Sequence, residues 1–285
     1  MDARTHRSKT RLRHRAHSRP GEVDDFEQGR DYVRSLARGL TVLRSAGGSE
    51  PATLAQIAAR AGLSRAAARR LVLTLEHLGY LRPAGRGYIP TPRVLELGYG
   101  YLGGQALPDV AQPWMEQLAH RVGESCSMAV LDEQHIIYVA RVPVSKIMTV
   151  SLAVGARLPA YCTSMGRVLL SGLTPAALDT WLAACRPESL TPRTVTDKRR
   201  LRQIIEGVRR EGFAWVEREL ETGLCSMAVP VHEPGGRLAA ALNIGMPYQP
   251  EARTRALREL LPALRETAAG IERAWPRGAP LGVGP

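Results

Sequence analysis

The spacing of apolar positions changes several times along the chain, and each change marks a boundary. Residues 1–30 show no apolar period and read as a disordered tail, basic first and acidic after. From Tyr32 onward, Val33, Leu36, Ala37, Leu40 and Leu43 recur at steps of three and four, which predicts an amphipathic helix ended by Gly47-Gly48. Thr53 is placed to cap a second helix over 54–61, and Ser64 a third over 65–78, stopped by Gly79. In that third helix Ala68, Leu71, Leu75 and Leu78 form an apolar stripe, with Arg65, Arg69, Arg70 and Thr74 on the other side. Short strands at 80–82 and 88–89, joined by a turn over 83–87, complete a hairpin. Helix, helix, tight glycine turn, helix and hairpin is the order of a winged helix-turn-helix, here residues 31–92.

Residues 93–107 predict a linker helix, with Val94, Leu95, Leu97, Gly98 and Tyr101 making a mostly apolar surface. Beyond Pro108 helical and alternating segments mix, so residues 108–275 read as an α+β domain. A helix over 110–122 precedes a hairpin of strands 127–131 and 136–142, then a strand over 147–154 and a loop over 158–161. Thr163 or Ser164 can cap a helix through 166–170, Thr174-Pro175 opens one over 176–184, and Gly212 closes one over 198–211. Three strands near 213–216, 225–232 and 237–244 lead to a long helix ending near Trp275, with Pro262 as its expected kink. Residues 276–285 read as a second disordered tail.

Charge sharpens this division. Of 285 residues, 39 are Lys or Arg and 27 Asp or Glu, a net of +12. Residues 1–93 hold 18 of the basic and 8 of the acidic groups, so nearly all the excess lies in the first third. That third is the candidate polyanion-binding part. A helix-turn-helix lays its second helix in the major groove, and arginine suits the task because its fork bridges guanine O6 and N7 or clamps phosphate. Ser64, Arg65, Arg69, Arg70 and Thr74 on that helix, with Arg82 and Arg86 on the wing, are the candidate contacts to double-stranded DNA. The basic tail reads either as a solvated segment or as an arm that reaches nucleic acid.

The remaining chemistry is sparse. Four cysteines (Cys126, Cys162, Cys185, Cys225) lie far apart, with no C-x-x-C pair and no histidine at ligand spacing, so neither a metal nor a disulfide framework is expected. The segment 98–103 matches G-x-G-x-x-G, but it follows a helix instead of a strand, which argues against a dinucleotide site. Glu217, Glu219 and Glu221 alternate before a strand and read as a solvated edge, or as a general-acid pair in an enzyme. No nucleophile elbow or paired acid and base supports the enzymatic reading, so no catalytic residue and no cofactor is expected. The absence of an apolar leader or long apolar run implies a cytoplasmic protein without a membrane span.

The runs YVRSLARGLTVL, LAQIAARAGLSRAAARRLVLTLEHLGYL and TPRVLELGYGYL resemble the DNA-binding half of the IclR family of bacterial transcriptional regulators. SCSMAVLDEQHIIYVARVPVSKIMTVSLAVGARLPAYCTSMGRVLLSGL, ETGLCSMAVPV and LAAALNIG extend the resemblance over residues 31–275. LSRAAARR, TPRVLELGY, ARVP and LPAYCTSMGRVLL are most similar to the branch controlling protocatechuate, 4-hydroxybenzoate and β-ketoadipate catabolism. The resemblance implies a GAF/PAS-like effector-binding domain with an antiparallel sheet, and a homodimer or homotetramer on a pseudo-palindromic operator. It carries an effector role onto Ile147, Val150, Leu158, Ser164, Met165, Leu224, Ser226, Asn243 and Gly245. The last departs from the serine frequent in the family, and Met165 from a small residue. Thr163, Ser164 and free amides at the helix start suit the carboxylate of a small aromatic or keto acid. The function expected is a ligand-responsive regulator of catabolic genes. The alternative is a metabolite-binding protein or enzyme with an accessory DNA-binding domain.

Overall fold

A computed structural model describes residues 31–48, 50–102, 106–144 and 152–276. The expected tails, and Ile147 and Val150 on the expected strand over 147–154, lie outside the described residues. The chain divides into two compact units between Tyr101 and Leu102, within the segment read as a linker.

The first unit runs α1 (Arg34–Ser45), α2 (Leu54–Arg60), α3 (Arg65–His77), β1 (Leu81–Ala84), β2 (Gly87–Pro90) and α4 (Val94–Leu102). Its boundaries follow local chemistry. The Thr53 side chain accepts from the Gln56 amide while Gln56 reaches back to the Thr53 amide, a reciprocal capping box. Ser64 accepts from the Ala67 amide at the start of α3. Gly62 and Gly79 adopt φ of 63° and 79°, the left-handed conformation that lets the chain turn out of α2 and α3. Val42, Leu43, Ile57, Val72 and Leu81 form the core. One expectation needs correction. Val72 is buried in α3, while Leu78, expected in the stripe, is the exposed helix cap. On α1 the apolar stripe is largely bare, with Val33, Leu36 and Leu40 at 58%, 63% and 49% exposure. The small core is filled from the C-terminal turn of α1 and cannot also cover its first two turns.

The second unit runs α5 (Ala106–Val122), β3 (Ser125–Asp132), β4 (His135–Val142), β5 (Arg157–Pro159), α6 (Ser164–Ser171), α7 (Pro175–Ala184), α8 (Lys198–Glu211), β6 (Ala214–Glu217), β7 (Leu224–His232), β8 (Leu238–Pro247), α9 (Ala252–Arg255) and α10 (Leu261–Ala274). The six strands pair antiparallel in the order β5-β4-β3-β8-β7-β6. Helix α6 packs on β3, β7 and β8 and against α8, whereas α5 and α10 pack on each other and on the strands. The segment 158–161, expected to be a loop, begins inside β5, where Leu158 pairs with Ile136. Pro262, the expected kink, follows directly on a π-helical turn over Ala256–Leu260 in a helical run unbroken from Ala252 to Ala274, and that turn is the irregularity that accommodates a proline without its N–H.

Helix α6 is held by two constraints. A Cβ on Gly166 would fall inside the carbonyl oxygen of Ala160, so only glycine permits this approach. Beside it, the side chains of Arg167 and Glu219 are 3% and 8% exposed and meet bidentately, Nη1 to Oε1 at 2.8 Å and Nη2 to Oε2 at 2.8 Å. Arg167 Nε donates to the Tyr161 carbonyl at 3.0 Å, and the Val195 amide donates to Glu219 Oε2 at 3.0 Å. Glu219 is therefore no solvated edge residue. The chain leaves β6 through Arg218 at φ 62°, which breaks the alternation with Glu217 and turns Glu219 inward. Removing one member of such a pair strands the other charge in the interior. Glu219→Gln should lower the unfolding free energy by about 3–5 kcal/mol in a urea titration. A loss below about 1 kcal/mol would show that the pair does not hold α6.

Candidate functional site

The antiparallel register builds a polar floor on the α6 side of the sheet. In one row Arg141 of β4 lies opposite Ser127 of β3, and Ser127 opposite Asn243 of β8. In the next row Ser125 lies opposite Gly245, Gly245 opposite Ser226 of β7, and Ser226 opposite Val216 of β6. The start of α6 stands over this floor with Cys162, Thr163, Ser164 and Met165, and Tyr138, Leu152, Leu220 and Leu224 supply walls. About 620 Å³ of space, its mouth included, is left between them.

Two of the buried polar atoms here lack any partner: Ser164 Oγ and Asn243 Oδ1. Buried polar groups are normally satisfied, because leaving one unpaired costs about 1–3 kcal/mol. The hydroxyls of Thr163 and Ser125 are committed. Thr163 Oγ1 donates to the Pro159 carbonyl at 3.2 Å and accepts from the Gly166 amide at 3.1 Å, capping α6. Ser125 Oγ accepts from the Val144 amide at 3.1 Å. Arg141 is the one charged side chain on the lining; its Nη1 donates to Ser127 Oγ at 3.2 Å, and no carboxylate pairs with it among the described residues. Burial pushes the Tyr138 hydroxyl up to about 12, so this wall donates a hydrogen bond and carries no charge.

Of the residues expected from sequence to hold an effector, Thr163, Ser164, Met165, Leu224, Ser226, Asn243 and Gly245 line this one pocket. Leu158 does not; it packs, partly buried, against the core beneath β5. Its pairing with Ile136 places it on the edge strand of the sheet. Ser125, Ser127, Tyr138, Arg141, Leu152, Cys162, Val216 and Leu220 were not anticipated. For Arg141 the reason is a bulge. Ala129 pairs with Tyr138 but Met128 with Ala140, so Val139 is an extra residue in β4. Strict alternation would put residues 138 and 141 on opposite faces, whereas the extra residue brings both to the pocket. Ser125 and Ser127 carried a usable signal, two serines in alternation on a strand otherwise apolar.

In the first unit, Ser64, Arg65, Arg69, Arg70 and Thr74 are all exposed along α3, and Arg82 and Arg86 are exposed on the hairpin. Ser64 Oγ accepts the Ala67 amide and Thr74 Oγ1 donates to the Arg70 carbonyl, so both hydroxyls already serve the helix. The arginines are left as outward cations on one helix and one hairpin, an arrangement suited to a polyanion.

The described residues hold no group of three or more side chains able to bind a metal, and no helix long and apolar enough to cross a membrane. Residues 35–85 match the model of the IclR helix-turn-helix domain, and residues 99–273 that of the bacterial transcriptional regulator IclR C-terminal domain. The chain is 38% identical over 244 residues to the Pca regulon regulatory protein of Pseudomonas putida, covering 85% of this chain and 84% of that one. It is 36% identical to the p-hydroxybenzoate hydroxylase transcriptional activator of Acinetobacter baylyi, covering 84% and 90%. Among solved structures it is similar to an IclR homologue from Microbacterium hydrocarbonoxydans complexed with 4-hydroxybenzoate. That similarity has 29% identity, a TM-score of 0.72 and coverage of 84% of this chain and 98% of that one.

The four thiols are free and buried. Burial pushes Cys126 up to about 12, and burial together with the Glu219 carboxylate pushes Cys162 to about 12. Burial and the Glu217 carboxylate raise Cys225 to about 11, and burial raises Cys185 as well. The thiolate is the reactive form, so at pH 8 these groups stay protonated and inert in the folded protein. A disulfide reagent at pH 8 should label none of the four rapidly until the protein is unfolded. One fast-reacting thiol in the native state would contradict the burial.

Proposed function

The chain belongs to the IclR family of bacterial transcriptional regulators, and on that premise we propose that it senses a small aromatic acid and controls genes of aromatic catabolism. The observation that carries this reading is the set of unmet needs in one pocket. A guanidinium with no carboxylate partner among the described residues asks for an anion, Asn243 Oδ1 for a donor, and Ser164 Oγ for a partner of either kind. A hydroxylated aromatic carboxylate answers all three: its carboxylate on Arg141, its hydroxyl on Asn243 or Ser164, and its ring against Leu152, Leu220 and Leu224. The names of the relatives in Pseudomonas putida and Acinetobacter baylyi, and the 4-hydroxybenzoate in the Microbacterium structure, support the same class.

The first unit binds DNA through its helix-turn-helix, with α3 in the major groove and the hairpin beside it. A pseudo-palindromic operator requires two copies. The bare stripe of Val33, Leu36 and Leu40 on α1 supports association of this chain with itself. The effector acts by binding the DNA-competent and incompetent states of the assembly with different affinity, the only route by which a ligand shifts such an equilibrium. On this reading the protein works in the bacterial cytoplasm.

Replacing Arg65 or Arg69 by alanine should cost about 1–3 kcal/mol of operator affinity and relax specificity at one base pair. Replacing Arg82 or Arg86 should weaken binding evenly across sequences and reduce the salt slope by about 0.9 per phosphate contact. Fluorescence anisotropy across a salt series checks both; unchanged operator affinity in Arg65→Ala and Arg69→Ala would mean that α3 does not read the DNA. In calorimetric titrations with 4-hydroxybenzoate, Arg141→Gln should lose about 1.5–3 kcal/mol of binding and Ser164→Ala about 1–3 kcal/mol. Failure of the unaltered protein to bind any hydroxylated benzoate would remove the effector class while leaving the regulator.

A further inference from the structure

The second row of the polar floor contains a gap. Gly245 lies on β8 between Ser125 and Ser226, and it lines the pocket. A Cβ built there meets no atom within 4 Å, in contrast to Gly166, Gly172 and Gly270, where a Cβ would strike a neighbour. Its backbone is not in the positive-φ region either. Neither the backbone conformation nor close packing therefore requires glycine at this position, and a strand glycine is otherwise a liability because it packs nothing and loses entropy. What the glycine leaves is space, flanked by two serines on the neighbouring strands, whose backbones run about 4.8 Å to either side.

We propose that this gap is a subsite for a second ring substituent, and that Gly245 makes the pocket prefer aromatic acids bearing two adjacent hydroxyls over those bearing one. The inference rests on the aromatic-acid reading of the pocket. Asn243 and Gly245 lie two residues apart on one strand and face the same side, about 6–7 Å from each other along β8. A ring hydroxyl on Asn243 Oδ1 therefore leaves its neighbour on the ring directed along β8 toward Gly245. There Ser226 can donate to the second hydroxyl, and Ser125, which already accepts from the Val144 amide, can donate its own proton. A monohydroxylated ring leaves the gap to water or empty and forgoes both contacts. An alanine at 245 fills the gap with a methyl group that offers no hydrogen bond.

The test is calorimetric titration of 4-hydroxybenzoate and 3,4-dihydroxybenzoate into the full chain and into Gly245→Ala and Gly245→Ser. The unaltered protein should bind the dihydroxylated acid at least tenfold more tightly. Gly245→Ala should lose most of that preference through weaker binding of the dihydroxylated acid. Gly245→Ser should behave like Gly245→Ala toward the larger acid, since its side chain occupies the same space. Circular dichroism verifies that the variants fold, which the open surroundings of Gly245 favour. A preference left unchanged in both variants, or no preference in the unaltered protein, overturns the subsite while the aromatic-acid reading stands. Binding of neither acid by the unaltered protein overturns both.

Discussion

The bidentate contact between Arg167 and Glu219 is the constraint on which the second unit turns. It takes two charges out of water, which is costly unless every remaining donor and acceptor is used. Here the backbone of Tyr161 and Val195 uses them, and Thr194 Oγ1 donates to the Glu219 carbonyl at 2.6 Å to fix the same loop. Three segments distant in sequence, the start of α6, the stretch 191–195 and the turn after β6, are thereby tied at one point. Arginine is suited to this as lysine is not, because its planar fork meets both carboxylate oxygens while Nε remains for a third bond.

The pocket inherits its shape from that tie. Ser164 and Met165 sit three and two residues before Arg167 on α6, and Leu220 immediately after Glu219 on the loop. A shift of α6 by even one residue would remove Ser164 from the space it shares with Asn243. The glycine at 166 is the steric half of the same arrangement, since it lets the helix lie on the Ala160 carbonyl. Rigid walls around unpaired polar atoms are what a specific site needs. The penalty of the unmet groups is borne by the empty protein, and a ligand that satisfies them recovers it.

The two departures from the family's habit fall on opposite sides of this space. Met165 is almost wholly buried and fills volume where α6 meets the sheet. Gly245 removes volume from the floor. On the aromatic-acid reading proposed above, bulk at the helix and space at the sheet would decide which ring positions can carry substituents.

Local rules sufficed for much of this protein. Thr53, Ser64, Thr174 and Asp197 are caps that act within three residues, and Gly212 at φ 71° ends α8 where its missing Cβ permits a left-handed turn. The winged helix-turn-helix, the α+β character of the second unit and the basic bias of the first third were therefore legible from residue types and spacing, and the long motif runs carried the family. What spacing could not show depends on pairing between distant segments. The bulge that turns Arg141 into the pocket exists only in the register of β4 against β3. Leu158 packs into the core from the edge strand β5, and Glu219 turns inward to Arg167, 52 residues earlier. Periodicity records which face of an element is apolar; only the assembled sheet decides which faces meet, and with what polar atoms between them.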